Sequence, residues 1–150
     1  MGETSASLER AAHLIATYLE STVGELGVTQ GEAHVLAQVA RRGPTPIATL
    51  HHEFGHKRST LTNIVDRLEQ RKLVRRELNP ADRRSLVVHL TASGRRAALP
   101  LTEVLDELER ELSRLVDERD VAGITAIVQA LESIVRRQKM EKPRRSGASR

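Results

Sequence analysis

The sequence contains no cysteine and no tryptophan, and only 1% of its 150 residues are aromatic. The absence of cysteine excludes disulfide bonds and thiol-based redox chemistry, and it suits a reducing compartment. Tyr18 and Phe54 carry the only phenyl rings of the chain. The sequence therefore supplies few aromatic side chains for a pocket that would bind an aromatic molecule by stacking.

Long hydrophobic runs are also missing. No apolar stretch approaches the roughly 20 residues that a helix needs to span a bilayer. The first ten residues, MGETSASLER, do not show the basic segment and following apolar segment of a secretory signal. We therefore expect a soluble, unprocessed, cytoplasmic protein with no membrane partner.

The common catalytic motifs are absent, with one apparent exception. There is no glycine-rich phosphate loop, no cysteine nucleophile and no G-x-S-x-G elbow. His52-Glu53-Phe54-Gly55-His56 matches H-E-x-x-H, in which two histidines on one helix bind zinc. However, Gly55 marks a turn, which would break that helix, and Ser59 replaces the glycine that precedes a third ligand. We expect no enzyme, no metal and no cofactor; a regulatory metal at this cluster is the alternative.

The net charge of +4 conceals a strong segregation along the chain. Residues 41–96 carry 13 basic and 5 acidic residues, and residues 136–150 carry 7 basic and 1 acidic. The other segments are acidic, with 1 basic against 5 acidic residues over 1–40 and 3 against 9 over 97–135. A basic centre between acidic helical arms indicates a polyanion bound at the centre. The alternative is a set of solvated faces.

Helical periodicity dominates the first half of the chain. An apolar stripe at 3.6-residue spacing predicts an amphipathic first helix. Thr29 and Glu32 form a capping-box pattern that begins a second helix, and Gly43-Pro44 ends it. A turn at Gly55 separates a short third helix from a longer fourth one. The four predicted helices span residues 5–24, 29–42, 47–54 and 57–72.

Residues 61–94, LTNIVDRLEQRKLVRRELNPADRRSLVVHLTASG, change their period in the middle. The first part keeps one apolar helical stripe and leaves the opposite face free to contact another molecule. Two β-type runs follow, at 73–78 and 86–90, and they flank a polar, arginine-bearing turn. A helix followed by a hairpin with a basic tip predicts a mainly α-helical fold with a small β-hairpin wing, the winged helix-turn-helix.

Two further amphipathic helices follow the wing. Thr91 caps a long fifth helix with leucines at near-heptad spacing, and Asp120 opens a final helix. Pro100 lies inside the fifth helix, where it should kink the backbone or cost about 3 kcal/mol. The terminal helices offer more apolar surface than the small core needs, which favours a homodimer over helices that only cover their own core.

These patterns divide the chain into four regions. An N-terminal dimerisation helix precedes the winged core, whose recognition helix spans about 57–72 and whose wing spans about 73–91. C-terminal dimerisation helices and a basic tail, which lacks apolar residues and should be disordered, complete the chain. The predicted regions are 1–28, 29–98, 99–140 and 141–150.

The core segment closely resembles the MarR family of transcriptional regulators. The likeness extends upstream through VTQGEAHVLAQVARRGPTPIATLHHEFGHKRST and covers roughly residues 28–98. It combines a helix, a D-x-R wing and a closing L-T-x-x-G at matching offsets, which is more specific than a lone short motif. The resemblance implies a homodimeric, sequence-specific regulator that binds double-stranded DNA, most often a repressor on a pseudo-palindromic operator.

The resemblance also assigns a recognition helix. In a helix-turn-helix the second helix enters the major groove by its N-terminal half. Lysine and arginine suit guanine edges or phosphates, and asparagine suits adenine. Arg67 lies two turns into this helix, where a phosphate contact and an intramolecular ion pair are equally compatible with the sequence. The predicted DNA-contacting residues of this helix are Lys57, Arg58, Ser59, Thr60, Thr62, Asn63 and Arg67.

In similar proteins a wing arginine reaches the minor groove, whose negative potential favours a guanidinium group. An aspartate two residues earlier orients that arginine through a bidentate pair. These roles fall on Arg84 and Asp82, with Arg83 between them, and Arg84 is the strongest single candidate. Arg75 and Arg76 point to opposite faces of their strand, so at most one of them can readily face DNA.

Three positions depart from the family pattern. Lys72 stands where a glycine usually ends the recognition helix, so the helix must end without the easy left-handed residue. His51 stands where a small alanine lets two helices approach, and His56 where an apolar residue follows the turn. We expect altered packing of the helix pair but the same fold.

Many similar proteins release DNA when a small, often aromatic or anionic, molecule binds between the dimer arm and the winged core. His13, Tyr18 and His34 would lie near such a cleft if the first two helices line it, and ordinary packing is the alternative. Two other functions stay open: a winged-helix module that binds an acidic protein, and a nonspecific architectural DNA binder in which the basic tail dominates affinity.

Overall fold

The computed structural model describes residues 3–55 and 58–141. This part of the chain is mainly helical with one small antiparallel sheet, so the predicted fold class is confirmed. The helices are α1 (Glu3–Leu26), α2 (Gln30–Arg42), α3 (Ile47–Phe54), α4 (Arg58–Gln70), α5 (Ala92–Leu115) and α6 (Glu118–Glu141). The strands are β1 (Thr45–Pro46), β2 (Val74–Leu78) and β3 (Leu86–Leu90).

The chain divides after Glu107 into two compact units. The first unit holds α1 to α4, the sheet and the first part of α5, and it has one hydrophobic core. Leu19 and Val23 of α1 belong to this core together with residues of the helix-turn-helix. Its largest fully buried side chains include Leu19, Leu36, Leu50, Leu61, Leu68 and Val88.

The start of α2 shows how local sequence sets a helix boundary. The Thr29 hydroxyl accepts a hydrogen bond from the Glu32 amide at 3.2 Å, and the Glu32 carboxylate accepts one from the Thr29 amide at 3.0 Å. This reciprocal capping box satisfies two of the four amides that a helix start leaves without partners. The predicted second helix, from Thr29 to Arg42, is therefore confirmed.

The sheet has three strands rather than the two that the sequence predicts. Its strand order is β1-β3-β2, with both pairs antiparallel. The Cα atom of Thr45 pairs with that of Val88, and Val74 pairs with Leu90. Two residues show no periodicity, so β1 carries no local signal and becomes a strand only because the fold brings it against β3.

The fourth helix is shorter than predicted. It ends at Gln70 rather than at residue 72, while its predicted first residue, Lys57, lies outside the described residues. The Lys72 amide donates to the Glu69 carbonyl and the Leu73 amide to the Leu68 carbonyl, both at 2.9 Å. These two bonds form a Schellman motif, which requires a left-handed residue. Lys72 supplies it, with φ of 58°, although glycine would do so with less strain.

The second unit contains the end of α5 and all of α6. The final helix begins at Glu118, not at Asp120 as predicted. The Asp117 carboxylate accepts the amides of Arg119 and Asp120 at 2.8 and 3.1 Å, so Asp117 is the capping residue. The helix continues to Glu141, the first residue of the predicted tail, and the remainder of that tail lies outside the described residues.

No side chain from Leu108 to Met140 is buried in the second unit. The exposed apolar side chains of the unit include Leu112, Leu115, Val121, Ile124, Val128, Leu131, Ile134 and Val135.

The fifth helix passes through Pro100 without ending there. Over the described residues, none of the helices has both the length and the apolar character needed to cross a membrane.

Candidate nucleic-acid interface

The third and fourth helices form the helix-turn-helix. The third ends at Phe54, and Gly55 follows in the left-handed conformation with φ of 58°. A helix cannot run through such a residue, so α3 does not continue past Gly55. His56, the last residue of the H-E-x-x-H segment, lies outside the described residues. Among residues 3–55 and 58–141, no group of three histidine, aspartate or glutamate side chains could hold a metal ion.

The fourth helix buries one face and exposes the other. Its buried side chains are Leu61, Ile64, Val65 and Leu68, the stripe that the sequence predicts. Five predicted DNA-contacting residues are exposed in its first two turns: Arg58, Ser59, Thr60, Thr62 and Asn63. The Thr62 hydroxyl donates to the Arg58 carbonyl at 2.9 Å, which leaves its oxygen able to accept a further bond.

Further along the same helix, the polar residues bind within the protein. The Arg67 Nε atom lies 2.7 Å from Glu32 Oε1, so the intramolecular ion pair, one of its two predicted roles, is present. The Arg67 side chain remains 49% exposed. Asp66 also has a partner, because its carboxylate lies 2.7 Å from Arg76 Nη1 in the wing.

The wing consists of β2, β3 and the turn over residues 79–85. Two side chains shape this turn: Asn79 Oδ1 accepts the Ala81 amide and Asp82 Oδ1 accepts the Arg84 amide, each at 3.0 Å. Such bonds from an aspartate or asparagine to the backbone two residues later favour a tight turn. The turn projects Arg83 and Arg84 as exposed side chains.

The predicted bidentate pair between Asp82 and Arg84 is not formed. The Asp82 carboxylate binds the backbone amide of Arg84 instead, so Asp82 orients the turn and not the guanidinium group. Within the described part of the chain, Arg58, Arg83 and Arg84 have no ion-pair partner. These three guanidinium groups are therefore available to an external anion.

Arg76 ties the wing to the fourth helix. Its Nε atom donates to Glu69 Oε2 at 3.0 Å and its backbone amide to Glu69 Oε1 at 3.1 Å. The hydrogen bond from the Arg76 guanidinium, opposed by partial burial, lowers the pKa of Glu69. The same contact, with Asp66 adding to it, raises the pKa of Arg76. The sequence did not reveal this pair, because the alternation of Arg75 and Arg76 alone does not say which residue meets the helix.

Arg75 lies on the other face of the strand, beside a cavity of about 460 Å³. Its Nε atom lies 2.6 Å from Glu77 Oε1, and His89 Nε2 lies 3.2 Å from Glu77 Oε2. The hydrogen bond from Arg75 lowers the pKa of Glu77. The cavity combines basic and apolar walls, including Arg75, His89, Arg95, Val39, Pro44 and Leu99.

The three residues predicted to contact a ligand do not line this cavity. His13 and Tyr18 are exposed on the first helix. His34 stacks on Phe54, with ring centroids 6.1 Å apart and ring planes 9° from parallel. Sequence reasoning missed Arg75, His89 and Arg95 as cavity residues because they come from three elements that only the fold assembles.

A helix-turn-helix followed by an antiparallel wing defines a winged helix-turn-helix protein. A sequence model described as the MarR family matches residues 28–86. The HTH-type transcriptional repressor MdtR of Bacillus subtilis (strain 168) is 31% identical over 140 residues, which cover 89% of this chain and 88% of that protein. This chain belongs to the MarR family of transcriptional regulators, as its sequence resemblance implied.

Solved structures share the fold at lower identity. The S. aureus MepR–DNA complex superposes with a TM-score of 0.67 and 20% identity over 87% of this chain and 96% of that one. NadR in complex with 4-hydroxyphenylacetate superposes with a TM-score of 0.71 and 21% identity over 84% and 89%. At identities this low, the superpositions show that the winged helix-turn-helix fold is shared, and they show the fold alone.

Proposed function

We propose that this regulator is a homodimeric repressor that binds a pseudo-palindromic operator in double-stranded DNA. One observation carries the proposal: the exposed polar start of α4 and the exposed arginines of the wing belong to one unit, in which Arg76 joins wing and helix. A helix of this kind fits the major groove, and a basic hairpin beside it fits the neighbouring minor groove. Apart from Arg67, which pairs with Glu32, the residues that we propose to contact DNA are those predicted above, with Arg84 as the principal wing contact.

The electrostatics support DNA as the partner. Residues 41–96 have an excess of eight basic side chains. Several of the acidic side chains there are bound to arginines within the protein, among them Asp66 and Glu69. The arginines without internal partners therefore dominate the field at the wing tip and at the start of α4. Phosphate contacts of this kind make affinity fall steeply with salt.

Two-fold symmetry links the dimer to its operator. We assign residues 1–28 and 99–140 to dimerisation, because α1 exposes Leu14, Ile15 and Tyr18 and the second unit exposes an extensive apolar surface, and a partner subunit would cover such side chains. A dimer of this kind contacts two half-sites separated by about one helical turn, roughly 10 bp. Occupation of such a site within a promoter would exclude the transcription machinery, which is the basis for proposing a repressor.

We also propose that a small anionic molecule releases the DNA. The cavity beside Arg75 supports this part of the proposal, since three arginines and one histidine share it with apolar walls. A carboxylate would compete with Glu77 for Arg75 and His89 in the wing. The complex of NadR with 4-hydroxyphenylacetate shows that a protein of this fold binds such an anion.

The deciding experiment selects random DNA duplexes with the purified protein at near-physiological salt, then measures affinity for the enriched site. We expect an inverted repeat. The Arg84→Ala variant should bind it about 1–3 kcal/mol more weakly and lose preference at the positions that the wing contacts. Arg114→Ala removes an arginine that pairs with Glu111 outside the winged core and should bind as the wild type does. Adding benzoate as a probe should weaken operator binding.

Other outcomes favour the two alternatives. Recovery of no motif would contradict the proposal and favour a winged-helix module that binds an acidic protein. A motif-independent affinity that disappears when residues 142–150 are deleted would favour an architectural DNA binder. If benzoate leaves operator binding unchanged, ligand release at this cavity is wrong for such anions, while the DNA-binding proposal stands.

A further inference from the structure

Glu32 is a charged side chain inside the first unit, and it is only 3% exposed. Among the described residues it is the one buried carboxylate. One of its oxygens closes the capping box of α2 by accepting the Thr29 amide. Glutamine serves equally well at this capping position, so the cap alone does not explain a buried negative charge.

The charge is met by Arg67 of the recognition helix and by Arg71, which directly follows its last residue. Arg67 Nε lies 2.7 Å from Glu32 Oε1, and Arg71 Nη1 lies 3.7 Å from Glu32 Oε2. The Arg71 amide still donates to the Arg67 carbonyl at 3.1 Å, so the two arginines, four residues apart, lie on the same side of the chain. Glu32 therefore connects the beginning of α2 to the second half of the helix that would enter the DNA groove.

Arg71 makes a second connection, to the end of α1. Its Nη1 donates to the Gly27 carbonyl at 2.9 Å and its Nη2 to the Leu26 carbonyl at 3.2 Å. The last carbonyls of a helix lack intrahelical partners and carry partial negative charge, so a guanidinium group binds them well. The recognition helix is consequently attached at two points, one on α2 and one on α1.

The burial of Glu32 strengthens its ion pair with Arg67. Burial raises the pKa of Glu32, but the hydrogen bonds from Arg67 and the Thr29 amide, with the charges of Arg67 and Arg71, lower it below its ordinary value. Glu32 is thus an anion at neutral pH. An anion buried without its partner is costly, whereas a DNA phosphate is exposed to water and counterions. Glu32 should therefore retain Arg67 in competition with phosphate.

Without its ion pair to Glu32, Arg67 would weaken the discrimination between the operator and other DNA sequences. It lies two turns into the recognition helix with half of its side chain exposed, so once released it would reach the DNA backbone. Contacts to phosphate add affinity that is the same for every sequence. Loss of the attachment would also let α4 shift on α1 and α2, which would disturb the contacts of its first turns with base edges.

We infer that Glu32 is a specificity-determining positioning residue of DNA binding, which orients α4 through Arg67 and Arg71 and withholds Arg67 from the phosphate backbone. This inference rests on the proposed function. Glu32 itself does not touch DNA. Its effect should therefore appear in the ratio of specific to nonspecific affinity.

The test compares Glu32→Gln with Asp106→Asn. Both substitutions remove one negative charge and break an ion pair between helices, but Asp106 pairs with Arg41, away from the recognition helix. Glutamine preserves the volume and the capping acceptor. Affinities are measured for the selected operator and for a scrambled duplex of the same length, over a range of salt concentrations.

We expect Glu32→Gln to bind the scrambled duplex more tightly and to lose about tenfold in the ratio of operator to scrambled affinity. For the scrambled duplex, the slope of the logarithm of affinity against the logarithm of salt concentration should become steeper by about one, the value for one additional phosphate contact. Asp106→Asn should keep the wild-type ratio. An unchanged ratio in Glu32→Gln, or an equal fall in both variants, would overturn the inference.

Arg67→Gln provides a second test if Glu32→Gln does not fold, as judged by circular dichroism. The inference predicts weaker operator binding with unchanged scrambled affinity, because Arg67 positions α4 without touching phosphate. Equal losses on both duplexes, with a shallower salt slope, would make Arg67 a phosphate contact and overturn it. Wild-type protein without operator preference would refute the proposed function as well, whereas a preference left intact by the variants refutes this inference alone.

Discussion

At the scale of single residues, Gly94 explains the L-T-x-x-G sequence that closes the winged core. Its amide donates to the Thr91 hydroxyl at 2.9 Å in the first turn of α5. The Thr91 hydroxyl itself donates to the Lys72 carbonyl at 2.7 Å, which holds this turn against the end of α4. A β-carbon on Gly94 would lie 1.8 Å from the Leu73 carbonyl oxygen. Backbone cannot rotate aside as a side chain can, so only glycine fits.

We therefore expect Gly94→Ala to reduce the free energy of unfolding by about 3 kcal/mol, the upper range for overpacking. Urea denaturation at a fixed protein concentration would measure the loss as a lower midpoint with an unchanged slope. Gly123→Ala is the matched control, since nothing lies within 4 Å of its added carbon in α6. That change should stabilise the protein by up to about 1 kcal/mol. Equal stability of both variants would contradict the close approach at Gly94.

At the scale of secondary-structure elements, an ion-pair cluster sets the position of the wing against the recognition helix. Arg76 of β2 binds both Glu69 and Asp66 of α4, while Arg75, next to it, binds Glu77 on the opposite face of the strand. The alternation of side chains along a strand produces this division. The strand that leads to the wing tip is thereby attached to α4.

The lowered pKa of Glu69 makes this attachment dependent on pH. A carboxylate with a lowered pKa in the folded state stabilises the protein above its unfolded value, here 4.5, and the stabilisation is lost as the pH falls through the folded value. Because Glu69 is partly exposed, its contribution should be about 0.5–1 kcal/mol at neutral pH.

Glu69→Gln should therefore be less stable than the wild type at pH 7, and the difference should shrink as the pH falls below about 4.5 towards pH 3. The free energy of unfolding at several pH values between these limits would show the difference shrinking as the pH falls. Glu103→Gln changes an exposed carboxylate of α5 and is expected to keep the wild-type profile. A constant difference between Glu69→Gln and the wild type would show that the charge of Glu69 is not responsible.

At the scale of the whole molecule, the two compact units differ in how they use apolar residues. The first unit buries its own in one core that includes part of α1. The second buries none between Leu108 and Met140, although α5 and α6 carry apolar side chains at helical spacing. An exposed apolar surface of this extent is characteristic of an interface, which is why we propose that a second copy of the chain covers it.

Leu131→Asp should disrupt that dimer, because Leu131 is 44% exposed on the apolar stripe of α6 and a charge there could not be buried. We expect the dissociation constant of the dimer to rise at least about tenfold, equivalent to about 1.4 kcal/mol. Light scattering over a concentration series would measure it. Gln129→Asp adds the same charge on the opposite helical face and should remain dimeric. A Leu131→Asp protein that dimerises normally would contradict the assignment.

Much of the fold could be predicted from sequence because its signals are local. Thr29 and Glu32 lie three residues apart and cap α2, and the apolar stripe of α4 lies within two turns. The wrong first residue predicted for α6 also has a local cause, since Asp117 and Asp120 are both suitable capping residues. Only the hydrogen bonds from the amides of Arg119 and Asp120 to the Asp117 carboxylate distinguish them. Whether the residues predicted to contact DNA do so is a question for the operator experiment.

By itself, the sequence determined the order of the six helices, the two strands of the wing, the basic charge of the core and membership of the family, since these depend on composition and on residues within a few turns of each other. Only the tertiary structure decided that Arg67 binds Glu32, 35 positions away, that Arg76 rather than Arg75 faces α4, and that β1 joins the sheet. The physical reason is that the partners in these contacts are far apart in the sequence. An ion pair or a strand pair is formed between residues that packing brings together, and no local pattern identifies those partners.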